Sequence, residues 1–230
     1  MASNLAARRA AKANRRKAVV AGKRKAELMS GSLAAQVSAA ASQPICACLI
    51  SDGWTETGMA SLFLARGISN NRLGLAMFLL DTYCLGIKDV ALQSLNADQW
   101  GDFLDASESA LPLSPIDPAF ARKLLRDLAA WSASMGFAPH PDFATVERLF
   151  GTVSADTCSA EFRFGREGKP FYIQGPSDTP AQARQYLAQV SRATGGSGKM
   201  LFLERDEVDF ELPPFSWSSG EDHSAADASD

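Results

Sequence analysis

The chain has 230 residues, 46% of them hydrophobic and 9% aromatic, with 23 Lys+Arg against 26 Asp+Glu and a formal net charge of −3. That length and apolar content support one large domain or two small ones with an ordinary core, and no window approaches the roughly 18 consecutive apolar residues of a membrane span. The small net charge conceals a division along the chain: residues 1–26 hold nine basic side chains and no acidic one, and subtracting those nine leaves 14 basic against 26 acidic in the remainder, a net of −12.

The nine cations are Arg8, Arg9, Lys12, Arg15, Arg16, Lys17, Lys23, Arg24 and Lys25. Such an arm is an electrostatic handle for a polyanion. Arg8, Lys12 and Arg15 fall at i, i+4, i+7, and the interspersed alanines favour helix while like-charge repulsion opposes it. The expectation is a nascent helix completed when phosphates neutralise one face. The arm lacks the apolar core of a secretory signal, although its Arg-rich, acid-poor composition is shared with organelle transit peptides. Residues 28–43 continue Ala- and Ser-rich and read as a linker with some helical tendency, so residues 1–43 are expected to form arm and linker.

Pro44 opens the predicted body, which runs over 44–212. Ile45–Ile50 reads as a strand. Met59–Arg66 and Leu73–Tyr83 are apolar runs whose Asn70-Asn71 separator tolerates positive φ, the mark of a β-hairpin. Leu85–Asp89 is expected to turn through Gly86, and Asn96 to cap a short helix over 97–106 with Trp100, Phe103 and Leu104 on one face. Asp117 and Pro118 start the clearest helix, where Phe120, Leu124, Leu128, Trp131 and Met135 make an apolar stripe ended by Gly136. Pro139-His140-Pro141-Asp142 forces a corner, with Phe143–Phe150 as another short helix. Glu161–Phe164 and Pro170–Ile173 flank Gly165–Gly168 as a second predicted hairpin, Asp178 or Thr179 caps a helix from Pro180, and Lys199–Glu204 reads as a last strand. Hairpins without regular βαβ alternation indicate an α+β fold with antiparallel hairpins packed on about four helices. Residues 213–230 are acidic, and this tail, like the arm, is too poor in apolar side chains to fold alone.

Three segments belong together: Phe78–Asp89 (FLLDTYCLGIKD), Met135–Phe143 (MGFAPHPDF) and Gly165–Pro176 (GREGKPFYIQGP). In this order behind a basic leader, the chain resembles a family of uncharacterised bacterial proteins over roughly residues 45–190. The resemblance implies a bacterial, cytoplasmic setting and weakens the transit-peptide reading. It carries no activity, cofactor or catalytic residue.

Within the body, Asp81, Tyr83, Cys84, Lys88 and Asp89 put a carboxylate, a phenol, a thiol and an amine within nine residues. They are candidate catalytic groups, with Lys88 expected to lower the Cys84 pKa. The alternative is a strand end whose polar groups satisfy a turn, with Cys84 as a small buried apolar group. His140 beside Asp142 is a candidate acid–base pair, or else the start of a helix with Asp142 in its first turn. Cys46-x-Cys48 with Cys84 and His140 lacks the usual ligand spacing of a zinc site. No cofactor is expected, since no phosphate loop, dinucleotide fingerprint or metalloprotease helix is present. An outward Phe171 or Tyr172 beside Arg163, Arg166 or Lys169 would suit base stacking; a cross-strand apolar pair is the alternative. The expected function is nucleic-acid association, with RNA or a ribonucleoprotein as the polyanion and no membrane partner. A small enzyme and a protein-interaction module are the alternatives. The acidic tail is a candidate intramolecular competitor for the arm.

Overall fold

The computed structural model describes residues 32–68, 72–175 and 178–196. The basic arm, the acidic tail at 213–230 and the predicted strand at 199–204 lie outside these. The fold is α+β. Five antiparallel strands, β1 (Ile45–Ser51), β2 (Met59–Ile68), β3 (Arg72–Asp81), β4 (Gly86–Asn96) and β5 (Leu113–Pro115), form one sheet in the order β4-β3-β2-β1-β5. Four consecutive strands thus form a meander, and β5 returns to pair with β1. The β2–β3 hairpin predicted around Asn70-Asn71 is in register over its whole length, from Met59↔Asp81 to Ile68↔Arg72.

Strand alternation sends side chains to two faces. Leu62, Leu64, Ala76, Phe78, Leu80 and Val90 point to one, which packs on helix α1 (Leu33–Ala41), on helix α4 (Pro118–Ser134) and on the short turn of helix 143–150. Phe63, Ala65, Leu75, Met77 and Leu95 point to the other, covered by Phe103 and Trp100 of helix α3 (Ala97–Ala110). Helix α2 (Trp54–Thr57) is a single turn between β1 and β2, and helix α6 (Pro180–Ala193) packs against the β3–β4 end of the sheet.

Helix starts follow local chemistry. Asn96 and Gln99 form a reciprocal capping box, as do Thr179 and Gln182, and Asp117 Oδ1 accepts from Ala119 N and Phe120 N with Pro118 next to the cap. The predicted linker differs from expectation: its helical tendency becomes α1, and Val37 and Ala40 are buried in the core. Leu85 closes the turn over 82–85, and β4 begins at Gly86 rather than after the expected turn through Asp89. Glu161–Phe164 and Pro170–Ile173 are not strands; only an isolated Arg166↔Lys169 bridge forms there. Phe143–Phe150 is one turn of α-helix, α5 (Phe143–Val146), tightened into a 3₁₀ turn that stops at Gly151.

Two ionic clasps tie the helical layer together. Arg66 of β2, only 6% exposed, donates to Leu149 O (2.6 Å), Phe150 O (2.7 Å) and Gln43 O. Its charge meets the carbonyl ends of α1 and of the 3₁₀ turn, where helix dipoles are negative. Glu147 accepts from Arg122 Nε (2.6 Å) and Arg126 Nε (2.7 Å) of α4. Burial works against its charge, and the two guanidiniums nevertheless hold its carboxyl below the usual range. Arg66→Met leaves three carbonyls without their donor, so we expect a loss of roughly 3 kcal/mol in urea unfolding, with Arg66→Lys recovering only part because an ammonium does not span three acceptors. An unchanged urea midpoint for Arg66→Met would refute the clasp.

Candidate functional site

The candidate residues 81–89 occupy the β3–β4 hairpin end. Asp81, the last residue of β3, is 4% exposed, and its Oδ1 accepts from Tyr83 N (3.0 Å) and Cys84 N (2.8 Å). This Asx-type cap shapes the four-residue connection. Thr82 N and Oγ1 both donate to Gly58 O (2.8 and 3.1 Å), fastening the connection to the α2–β2 turn. Gly58 is required there: its φ is +75°, and an added Cβ would collide with the Tyr83 ring. Gly86, at φ +79°, likewise admits Ser132 of α4 against the hairpin.

Burial pushes the Asp81 carboxyl up to about 6, although Lys88 and the N–H groups of Cys84, Leu85 and Tyr83 pull the other way. Cys84 has no exposed surface, and burial together with the Asp81 charge raises its thiol far more than Lys88 lowers it. The expected Lys88 effect exists but is outweighed, so the sulfur is a neutral S–H packed with Leu85, Met135, Phe137 and Tyr172. The Tyr83 hydroxyl donates to Glu56 O (2.7 Å) and also contacts Thr55 O (3.1 Å).

His140 reaches the same end from the second segment. Its backbone N–H donates to Ile87 O (3.1 Å), and its ring Nε2 lies 3.6 Å from Asp89 Oδ1. Asp142 contributes its backbone N–H to Nδ1 (3.3 Å), so the carboxylate facing the imidazole is Asp89. Nδ1 is thus engaged by the Asp142 amide, while Nε2 faces the Asp89 carboxylate from beyond hydrogen-bond distance.

The third segment closes over the hairpin. Gly165 N donates to Thr82 O and Phe171 N to Tyr83 O, each at 2.9 Å. Phe171 and Tyr172 are both buried, so neither is the outward stacking aromatic that the predicted hairpin required; Arg166 instead places its guanidinium 5.0 Å over the Phe171 ring. Tyr172 OH donates to Asp178 Oδ2 (2.7 Å), which also accepts from Gly175 N (2.7 Å). Burial, then the Asp178 carboxylate, raises the Tyr172 phenol. Gly175 has no side chain where a Cβ would sit 3.2 Å from Asp178 Oδ2 and 3.6 Å from Lys88 Nζ.

Asp81, Cys84, Lys88, Tyr172 and Asp178 therefore form one polar cluster, with Asp89 and His140 paired on an adjoining stretch of β4. Sequence reasoning missed Asp178, treating it as a helix cap. Thr179 caps α6 instead, and Asp178 turns to Tyr172. The available signal was that Tyr172 and Gly175 lie in Gly165–Pro176, whose described residues meet Phe78–Asp89 and Met135–Phe143 here. Cys46 is exposed and Cys48 is buried, and among the described residues no three His, Cys, Asp or Glu side chains are placed to share a metal ion. No family model, curated protein or solved structure matches the chain.

The raised Asp81 pKa makes a prediction with a definite sign. A folded-state value of about 6 against an ordinary 3.8 means that protonated Asp81 favours the folded state below pH 3.8, and that this contribution is lost as pH rises through 6. Asp81→Asn keeps an acceptor for the two amides without titrating. Its stability relative to the wild type should rise by roughly 3 kcal/mol between pH 3.5 and 7, read by urea unfolding at each pH. A constant difference across that range would contradict the burial of the charge.

Proposed function

We infer that the protein associates with nucleic acid, RNA or a ribonucleoprotein rather than a DNA sequence, through residues 1–26. One observation carries the reading: nine cations without a carboxylate precede a remainder of net −12. Nine cations gain affinity for phosphate by releasing its counterions, whereas the acidic remainder repels a bare phosphate backbone over most of its surface. Binding is therefore arm-driven, and the body docks elsewhere or onto protein. The body's chemistry supports this division of labour. Asp81, Tyr83 and His140 direct their polar atoms to backbone groups or to one another, and Cys84 is a sealed thiol, so these groups serve the fold before any reaction. A cytoplasmic setting accords with the four cysteines, all of which are free, and no helix among the described residues is long and apolar enough to cross a membrane. The carboxylates of Glu221, Asp222, Asp227 and Asp230 supply an intramolecular competitor for the arm.

Fluorescence anisotropy with a single-stranded RNA tests this reading. If about six of the nine cations contact phosphate, the logarithm of the association constant falls with the logarithm of salt at a slope of about −4. Deleting residues 1–26 abolishes the binding at low salt. Equal binding by the truncated protein would refute the reading.

A second reading, a small-molecule site in the body, draws on the convergence of Lys88, Tyr172, Asp178 and Asp81. A metabolite that raises the thermal midpoint of the wild type and not of Lys88→Met would favour it.

A further inference from the structure

The two edges of the sheet differ. β5 is three residues long, follows Pro112 and ends on Pro115, and proline has no N–H to offer a neighbouring strand. β4 is eleven residues long, and from Val90 to Asn96 it carries no charge and no proline. Edge strands ordinarily hold such guards, because unpaired N–H and C=O groups recruit other strands.

The direction of those groups follows from the register. Asp52 N donates to Pro112 O and Ile116 N to Cys48 O, so even-numbered residues of β1 direct their polar groups at β5. In an antiparallel sheet, a residue bonded to one neighbour turns its polar groups away from the residue opposite on its other side. The pairs Ile50↔Leu62, Leu62↔Phe78 and Phe78↔Val90 carry this alternation across the sheet. Leu62 and Phe78 bond to each other, and Val90 faces the open edge. Leu92, Ser94 and Asn96 share its direction.

Part of this outward row is satisfied within the protomer. Val90 N donates to Asp89 Oδ1 (2.8 Å), Asn96 N to Gln99 Oε1 (3.0 Å), and Ser94 O accepts from Arg72 Nη2 (2.6 Å). At the strand's start, Ile87 O accepts from His140 N. Val90 O, Leu92 N, Leu92 O and Ser94 N have no partner among the described residues.

This pattern is self-complementary. When β4 is laid antiparallel on a second β4 about a two-fold axis at Leu92, Val90 of each copy stands opposite Ser94 of the other. Leu92 N and O then meet Leu92 O and N. Ser94 N, which lacks a partner, meets Val90 O, which also lacks one. The two groups already satisfied, Val90 N and Ser94 O, fall opposite each other; their caps, the Asp89 carboxylate and the Arg72 guanidinium, are of opposite charge and give way to the N–H···O bond where the two strands meet. We propose that the occupant of this edge is a second copy of the chain, joined β4 to β4 in an isologous dimer with one continuous antiparallel sheet. The uncharged Val90–Asn96 stretch puts no like charges opposite each other across the axis. The inference concerns residues 87–96 alone and does not depend on what the basic arm binds.

Sedimentation velocity of the full chain, over a concentration series at physiological salt, tests it alongside two variants. The wild type is expected to sediment at twice the protomer mass at the upper concentrations. Ser94→Pro removes one outward N–H and the exposed Arg72 Nε–Ser94 Oγ bond (2.8 Å) but no backbone bond inside the sheet, so it should keep its far-UV circular dichroism and sediment as a monomer. In the same register Ala91 of one copy stands opposite Gln93 of the other in a non-hydrogen-bonded pair, where Cβ atoms lie about 4.5–5.5 Å apart, near enough for a disulfide after a small shift. Ala91→Cys/Gln93→Cys should give a reducible covalent dimer on mild oxidation, in excess of any formed by the wild type. A wild type that remains monomeric throughout, or a folded Ser94→Pro that remains dimeric, overturns the proposal. If Ser94→Pro does not fold, the cysteine pair decides, and crosslinking no greater than in the wild type overturns it.

Discussion

The Asp81 carboxylate is the interaction on which the candidate site depends. It is nearly sealed from water, and its charge is tolerated because two backbone N–H groups, those of Tyr83 and Cys84, point into it. The same two bonds set the path of the connection, which leaves Thr82 O and Tyr83 O free to receive Gly165 N and Phe171 N. Those contacts bring in a segment more than 80 residues further along the chain, and with it Tyr172, which completes the small apolar cluster beneath α6. A buried carboxylate without such donors would neutralise or unfold the turn, and the third segment would then have no docking edge.

The same geometry shapes what the body can do. A carboxylate, a thiol, an amine, a phenol and an imidazole within one end of a fold invite a catalytic reading. Their partners favour a structural one: the carboxylate caps a turn, the phenol of Tyr83 pins α2, the imidazole bridges Asp89 and the backbone of Asp142, and the thiol is packed among apolar side chains. Lys88 is the exception, lying beside Asp178 across the bare Cα of Gly175. The candidate ionisable groups of the body accordingly mostly hold one another or the backbone. The body's other resource is its open β4 edge.

Much of the fold was legible because it is encoded locally. Asn96, Asp117-Pro118, Thr179-Pro180 and Gly136 announce helix ends through side-chain and backbone chemistry within three or four residues, and all act as expected. The apolar runs of β2 and β3 were equally plain. What failed was non-local. Gly86 leaves the turn over 82–85 with a positive φ that admits Ser132, but β4 starts at this glycine, so the expected turn does not extend on to Asp89. Residues 161–173 read like a hairpin, yet only the tight turn over 165–169 bonds to itself, and Gly165 N and Phe171 N go to Thr82 O and Tyr83 O. No local pattern could show that exchange. The Ala-rich α1 looked like a tether because Val37 is its one large buried side chain. For the candidate site, residues at 81–89 and His140 stand out in the sequence by their chemistry, whereas the His140–Asp89 and Tyr172–Asp178 pairings needed the third dimension.

Native-state hydrogen exchange at four amides, those of Tyr83, Cys84, Gly165 and Phe171, tests the central claim most directly, that the candidate site is first of all a structural clasp around Asp81. These four lie in irregular structure, where amides ordinarily exchange through small local openings. The account predicts that they exchange as slowly as the amides of β3, opening only when the sheet itself opens. Rapid exchange of all four, with β3 still protected, would contradict it.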